Sequence, residues 1–409
     1  MMSFTSSDKT KNACFILAYS IYYVGLLIQT TNMEQASDIK KLCNILSLTL
    51  MVLICINKVN HNRPVSFKMA ASYFCAGIII IMSMYTMDFF FITLMLFYFA
   101  SHSMGYGEET RIYRVSGYLL LLVLVSVSIL CFAGVIDDLN TPRSMWEYYS
   151  GDRFARGFAH SQIPTLLVLY LILYFFTYKK RVGLVDFIVS QLLMILMSYI
   201  FDARTSLYVL ECFFVMQLVF KIASIISKRR RGVVRRIVSV ICKTSFMIFA
   251  ALSFLLLYLY NQDYSIVKKI DLALSSRLRI SSILFSENPI RFLRMQSFDD
   301  YVNNLSGYPM DCGYFYLVLR YGIISLLFFS IVLFFLAKHY DNQNNKCGLC
   351  AVFSISVTNL MNGTLVGCYC LPFLILGLNC IRYEVCKAKH ISLCCGREGN
   401  VMCLNRKAM

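Results

Sequence analysis

Nine arginines set the chemical question. Arg143, Arg153 and Arg156 fall in one polar segment, Arg204 sits in the short turn FDARTS, and Arg277, Arg279, Arg291, Arg294 and Arg320 lie in or just after a second polar segment. Only two lysines, Lys268 and Lys269, keep them company. A planar guanidinium donates two parallel hydrogen bonds to a carboxylate or phosphate, so a set dominated by arginine points to a phosphate-bearing ligand. The stretch GDRFARGFAH adds His160, the residue type best suited to general-base work, with Asp152, Asp202 and Asp311 behind it. The competing reading pairs the arginines with Asp152, Asp202, Asp299, Asp300 and Asp311, and makes His160 a loop residue that caps the next helix.

The elements that must hold these side chains are apolar. The chain has 409 residues, is 58% hydrophobic with a mean hydropathy of +0.64, and carries only 15% charged residues. A soluble domain has about 25% charged residues, so this composition places the chain in a bilayer. Repeated apolar runs of membrane-spanning length predict an all-α, polytopic transmembrane bundle, and the absence of alternation argues against a β-barrel. About twelve spans are expected, near residues 13–29, 39–57, 69–86, 88–104, 115–136, 163–178, 183–201, 205–226, 237–260, 312–337, 348–366 and 367–382. No small-residue cleavage site follows the first run, which is read as a retained span.

Lysine and arginine orient the bundle. With the N-terminus inside, the cytoplasmic segments hold Lys179 to Arg181, the run SKRRRGVVRR and a C-tail over 383–409, and together they outnumber the positive charges of the other face. Both termini are then cytoplasmic, and the formal charge of +17 is mainly a topology signal. The basic run meets anionic lipid headgroups in this reading, and no nucleic-acid partner is expected. One integral membrane domain covers 1–409, with a first external functional loop at 137–162 and a large external loop at 261–311. The second loop has apolar residues at helical spacing and is expected to carry one or two amphipathic helices at the membrane surface.

Four elements, in order, resemble a known family. RFARGFAHSQIPTLLVLY before a span, FDARTSLYVL in a short outer turn, SSRLRI in a large loop and the later DCGYFYLVLRYGIISLLFF are similar to the O-antigen polymerase (Wzy) and O-antigen ligase superfamily. They cover roughly Asp137 to Leu336. The chain departs from the pattern where members often read His-Pro-Asn and this one reads HSQ, and the pattern of an arginine, ten residues and a glycine is missing from both loops.

The resemblance implies glycosyl transfer at the outer face of the bacterial cytoplasmic membrane. A hydroxyl of one undecaprenyl-diphosphate-linked oligosaccharide attacks the anomeric carbon of another, and undecaprenyl diphosphate leaves. The residues are compatible with this, because arginines can stabilise a departing diphosphate without a metal. Arg153, Arg156, Arg204, Arg277 and Arg279 are the candidate diphosphate ligands, and His160 and Asp311 the candidate proton-transfer groups. Arg291, Arg294, Arg320, Asp152 and Asp202 are secondary candidates. No cofactor is expected; the partners are the lipid-linked oligosaccharide, membrane lipid and a separate chain-length regulator protein.

Other classes find less support. Walker, G-x-G-x-x-G, H-E-x-x-H and G-x-S-x-G motifs are all missing from the sequence. The seventeen cysteines fall mostly in spans or on the cytoplasmic side, where thiols stay reduced. Cys347 and Cys350 form C-x-x-C, but the pair opens an apolar helix and makes a poor zinc site. Tyr22, Tyr23, Tyr148, Tyr149, Tyr258, Tyr260 and Trp146 are expected as interface anchors. A ligase would share the donor lipid, whereas a flippase should show internal repeats and intramembrane charges.

Overall fold

The computed structural model describes residues 6–59, 90–101, 109–138, 140–142, 152–225, 228–273, 277–287, 290–292, 312–362 and 367–381. Among the described residues the first helices are α1 (Ser6–Ile28), α2 (Ala36–Val59), α3 (Phe90–Ala100) and α4 (Glu109–Phe132). A short hairpin follows, β1 (Asn140–Pro142) with β2 (Asp152–Phe154), paired antiparallel so that Thr141 faces Arg153. Next come α5 (Gln162–Lys179), α6 (Leu184–Ile200), α7 (Thr205–Ile225) and α8 (Lys228–Asn261). Two short helices, α9 (Ser265–Ala273) and α10 (Arg277–Glu287), precede α11 (Gly313–Tyr321), α12 (Ile323–Asn342), α13 (Lys346–Met361) and α14 (Leu371–Ile381).

Burial sorts these helices into a centre and a rim. The residues of α13 are almost all buried, as are those of α14, and α5 packs against both α4 and α13. The rim helices turn large apolar side chains outward: Leu122 and Ile129 on α4, Leu184 and Leu192 on α6, Val215 on α7, Ile237 and Leu255 on α8. Apolar belts of this extent need a non-aqueous surround, and the chain is a membrane-embedded helical protein. Among the described residues, five helices are long and apolar enough to cross a membrane: Arg111–Phe132, Gln162–Lys179, Thr205–Ile225, Val233–Asn261 and Ile323–Asn342. Shorter apolar helices among the described residues include Leu184–Ile200 and Lys346–Met361. The expected span at 69–86 lies outside the described residues.

Three expectations are corrected. The run at 312–337 is two helices, because Gly322 takes φ 90° and ψ 175°, a conformation nearly closed to side-chain-bearing residues. The second of the last two predicted spans is an eleven-residue helix that begins deep in the bundle, where Cys370 Sγ lies 3.1 Å from the Tyr170 hydroxyl. Tyr22 and Tyr23 are core residues, 3% and 0% exposed, and not interface anchors. Tyr23 Oη meets Tyr174 Oη at 3.3 Å, Tyr174 donates to the Tyr369 carbonyl, and Tyr19 Oη lies 2.6 Å from Ser116 Oγ. Buried tyrosines need such partners, and helix packing brings theirs from distant parts of the chain.

The hydrogen bonds also fix which connections share one end of the bundle. The turn after α1 locks onto the segment before α5: Asn32 N–H donates to the Gly157 carbonyl at 2.9 Å, and Ala159 N–H to the Thr30 carbonyl at 2.9 Å. Ser206, at the start of α7, reaches Thr165 of α5 at 3.2 Å. The opposite end is held by Lys179–Asp186 at 2.6 Å, Lys243–Asp341 at 2.6 Å and Asn345 donating to the Thr177 carbonyl at 3.0 Å.

Candidate functional site

The candidate residues fall into two groups, each fixed by a carboxylate that the sequence did not single out. In the first, Arg156 has φ 50°, a left-handed conformation that a non-glycine residue adopts only when its surroundings hold it. Asp138 does the holding: one carboxylate oxygen accepts the Arg156 backbone N–H at 2.6 Å and the other accepts the guanidinium at 3.2 Å. The next residue, Gly157, has φ 83°, and a Cβ there would lie 2.9 Å from Cys131 Cβ of α4. This glycine is thus required by both backbone angle and close approach. Together they bend the chain so that Arg156 is exposed while Ala155 and Phe158 on either side are buried.

His160 stands one turn further on. Its Nδ1 accepts the Gln162 backbone N–H at 3.1 Å, and its carbonyl accepts from Ile163 at 3.1 Å. The ring therefore caps the first turn of α5, satisfying a donor that helix geometry leaves unpaired. With Nδ1 engaged as an acceptor, a neutral ring carries its proton on Nε2, which favours the helix-capping alternative that the sequence left open beside the proton-abstraction one. Arg204 belongs to the same end. It is exposed in the turn between α6 and α7, its carbonyl accepting from Tyr208 at 3.1 Å, beside Asp202 at φ 46°. Arg153 and Asp152 lie on β2, opposite Thr141 and Pro142.

The second group centres on α10. Asp271 of α9 is 4% exposed, and its carboxylate accepts the Leu278 N–H at 2.7 Å and the Arg279 N–H. Burial pushes its pKa above the ordinary carboxylate value, opposed by these hydrogen bonds and the Arg279 charge. A carboxylate at the N-terminus complements the helix dipole and fixes Arg277 and Arg279 on the first turn. Arg277 is half-buried and lies within electrostatic reach of Cys312, while Arg279 is exposed.

Arg291 contributes through its backbone. Its carbonyl and that of Phe292 accept the Ile323 and Ile324 N–H groups at 3.1 and 3.2 Å, satisfying the start of α12 just after the Gly322 break. Arg320, at the end of α11, stacks over Tyr316 at 5.3 Å and Tyr321 at 5.5 Å and hydrogen-bonds the Tyr316 hydroxyl. Asp311 and Arg294 lie outside the described residues.

No family model, curated protein or solved structure matches the chain. The geometry alone thus carries the functional argument. Among the described residues no group of three or more His, Cys, Asp and Glu side chains is arranged to hold a metal ion. Asp138 and Asp271 were missed because neither belongs to a motif. The only signals were an Asp-Asp pair at the end of a span and an acid six residues ahead of RLR, and both acquire meaning only once the chain folds back.

Proposed function

We propose that the protein is a membrane glycosyltransferase that polymerises undecaprenyl-diphosphate-linked oligosaccharide repeat units at the outer face of a bacterial cytoplasmic membrane, with both termini cytoplasmic. The observation that carries this reading is the pair of arginine groups built on fixed backbone: Arg156 held by Asp138, and Arg277 with Arg279 held by Asp271. Surface arginines kept only for topology would not need a left-handed residue, a required glycine and a buried cap to set their position.

The chemistry follows from charge. As the hydroxyl oxygen of one repeat unit bonds to the anomeric carbon of the other, the bond to the diphosphate oxygen breaks and its electrons leave with the diphosphate. Preorganised guanidinium groups stabilise that developing charge where little water competes. Arg156, Arg204 and Arg153 would bind from one side of the end, and Arg277 and Arg279 from α10. His160 supplies an Nε2–H donor to a phosphate or sugar oxygen. The proton of the attacking hydroxyl passes to a carboxylate, for which Asp202 and Asp311 are the candidates.

Surface-glycan analysis of a strain lacking the gene tests this assignment. Single capped repeat units in place of long chains support polymerisation. Long chains stranded on the lipid carrier would instead assign the protein to ligase-type transfer onto a separate acceptor.

A further inference from the structure

The end of α13 near the second arginine group carries a polar feature that the arginines do not explain. Asn359 is 0% exposed, in a helix that otherwise packs through apolar residues and small hydroxyls, and Asn362, the extended residue that follows the helix, is 6% exposed. Asn359 Nδ2 donates to the Ile355 carbonyl at 2.8 Å, which fixes the orientation of the carboxamide. Among the described residues its Oδ1 has no hydrogen-bond partner, and neither does Nδ2 of Asn362 three residues on. Leaving a buried polar group unpaired costs about 1–3 kcal/mol, so two at the end of a membrane-embedded helix need a reason.

The neighbours supply one. The Asn359 carbonyl accepts from Cys312 Sγ at 3.8 Å, and Cys312 in turn hydrogen-bonds Ser253 and feels the charge of Arg277. The Asn359 backbone therefore adjoins Cys312, the residue that feels the charge of Arg277 on α10. Sugar hydroxyls are donors and acceptors at once, the chemistry that an acceptor such as Asn359 Oδ1 and a donor such as Asn362 Nδ2 require.

We propose that Asn359 and Asn362 form a sugar-binding subsite for the first pyranose attached to the diphosphate, with Arg277 binding the diphosphate itself. The inference rests on the diphosphate reading and names what is recognised next to it.

The test uses the full-length protein in nanodiscs with two probes: undecaprenyl diphosphate, and the same lipid carrying one galactose or one N-acetylglucosamine. Wild type is expected to bind a glycosylated probe about tenfold more tightly than the bare lipid, the worth of two net hydrogen bonds. Asn359→Leu, Asn359→Ala and Asn362→Leu should bring that ratio to within about twofold and leave bare-lipid binding unchanged. Their melting temperatures should hold or rise for the leucine variants, since replacing an unpaired buried polar group with an apolar one is near neutral. A preserved ratio with lowered melting temperature would make both residues structural and overturn the subsite. A wild type that binds both probes equally overturns it too, while Arg277→Ala weakening both probes would keep the diphosphate reading intact. A wild type that binds neither probe overturns both readings.

Discussion

Arg156 and Asp138 allow a structural role to be separated from a ligand-binding one. Their ion pair is 3.2 Å long, with side chains 52% and 24% exposed, so solvent screening limits it to about 0.2–1 kcal/mol. The 2.6 Å bond from the Arg156 backbone to Asp138 adds about 1 kcal/mol and survives in Asp138→Asn, which keeps an acceptor. If Arg156 only braces the loop, Arg156→Ala and Asp138→Asn remove the same pair and should lower activity equally, by no more than about fivefold. If Arg156 binds diphosphate, Arg156→Ala also removes a charge-assisted contact worth about 1.5–3 kcal/mol, or roughly 10- to 150-fold in kcat/KM. Alanine and lysine carry the same Cβ cost as arginine at φ 50°, so the backbone term cancels in the comparison. Arg156→Lys should recover little, because an ammonium lacks the two-pronged geometry. The assay is polymer length and rate in membranes with matched protein levels. Equal, small losses in Arg156→Ala and Asp138→Asn would refute the diphosphate role for this residue.

Three further outcomes follow from the geometry. His160→Ala should lower the melting temperature by the equivalent of about 1 kcal/mol through loss of the α5 cap, and His160→Asn, whose Oδ1 can take the place of Nδ1, should restore stability without restoring the Nε2–H donor; equal stability of all three proteins in a thermal melt would remove the capping role. Gly322→Ala at φ 90° and ψ 175° should cost about 1–3 kcal/mol and reduce the folded yield in detergent, whereas an unchanged yield would show that the break between α11 and α12 tolerates a side chain. Because burial raises the Asp271 pKa, the folded state holds this proton more tightly than the unfolded chain; its contribution to stability is full below the ordinary carboxylate value and falls as pH rises through the raised folded value, so Asp271→Asn should flatten that part of the melting-temperature profile across the acidic range, and an identical profile in the variant would contradict it.

The sequence exposed the class of fold and the end of the bundle where charge collects, because both depend on strong, local signals. Runs such as Leu119 to Val125 in α4 or Leu166 to Phe176 in α5 read as helices whatever surrounds them. Gly322 was harder to read, since its neighbours are as apolar as a continuous span and only the backbone angle reveals the break. Tyr22 and Tyr23 misled for the same reason: an aromatic pair near a span end fits an interface as well as a core, and only the Tyr174 hydroxyl decides. At the site, the arginines were legible by type, but their anchors were not. Asp138 and Asp271 act across 18 and 7 residues on backbone N–H groups, a relation that no spacing rule encodes. His160 was legible as either base or cap, and the 3.1 Å contact from Gln162 favours the cap.

Reconstitution tests the central claim most directly. Purified protein in proteoliposomes, supplied only with undecaprenyl-diphosphate-linked repeat units, should yield chains of two or more units on one lipid and release one undecaprenyl diphosphate for each bond formed, with both products lost in Arg277→Ala. Repeat units that stay single while the protein remains folded, or polymer that forms equally well in Arg277→Ala, would contradict the account.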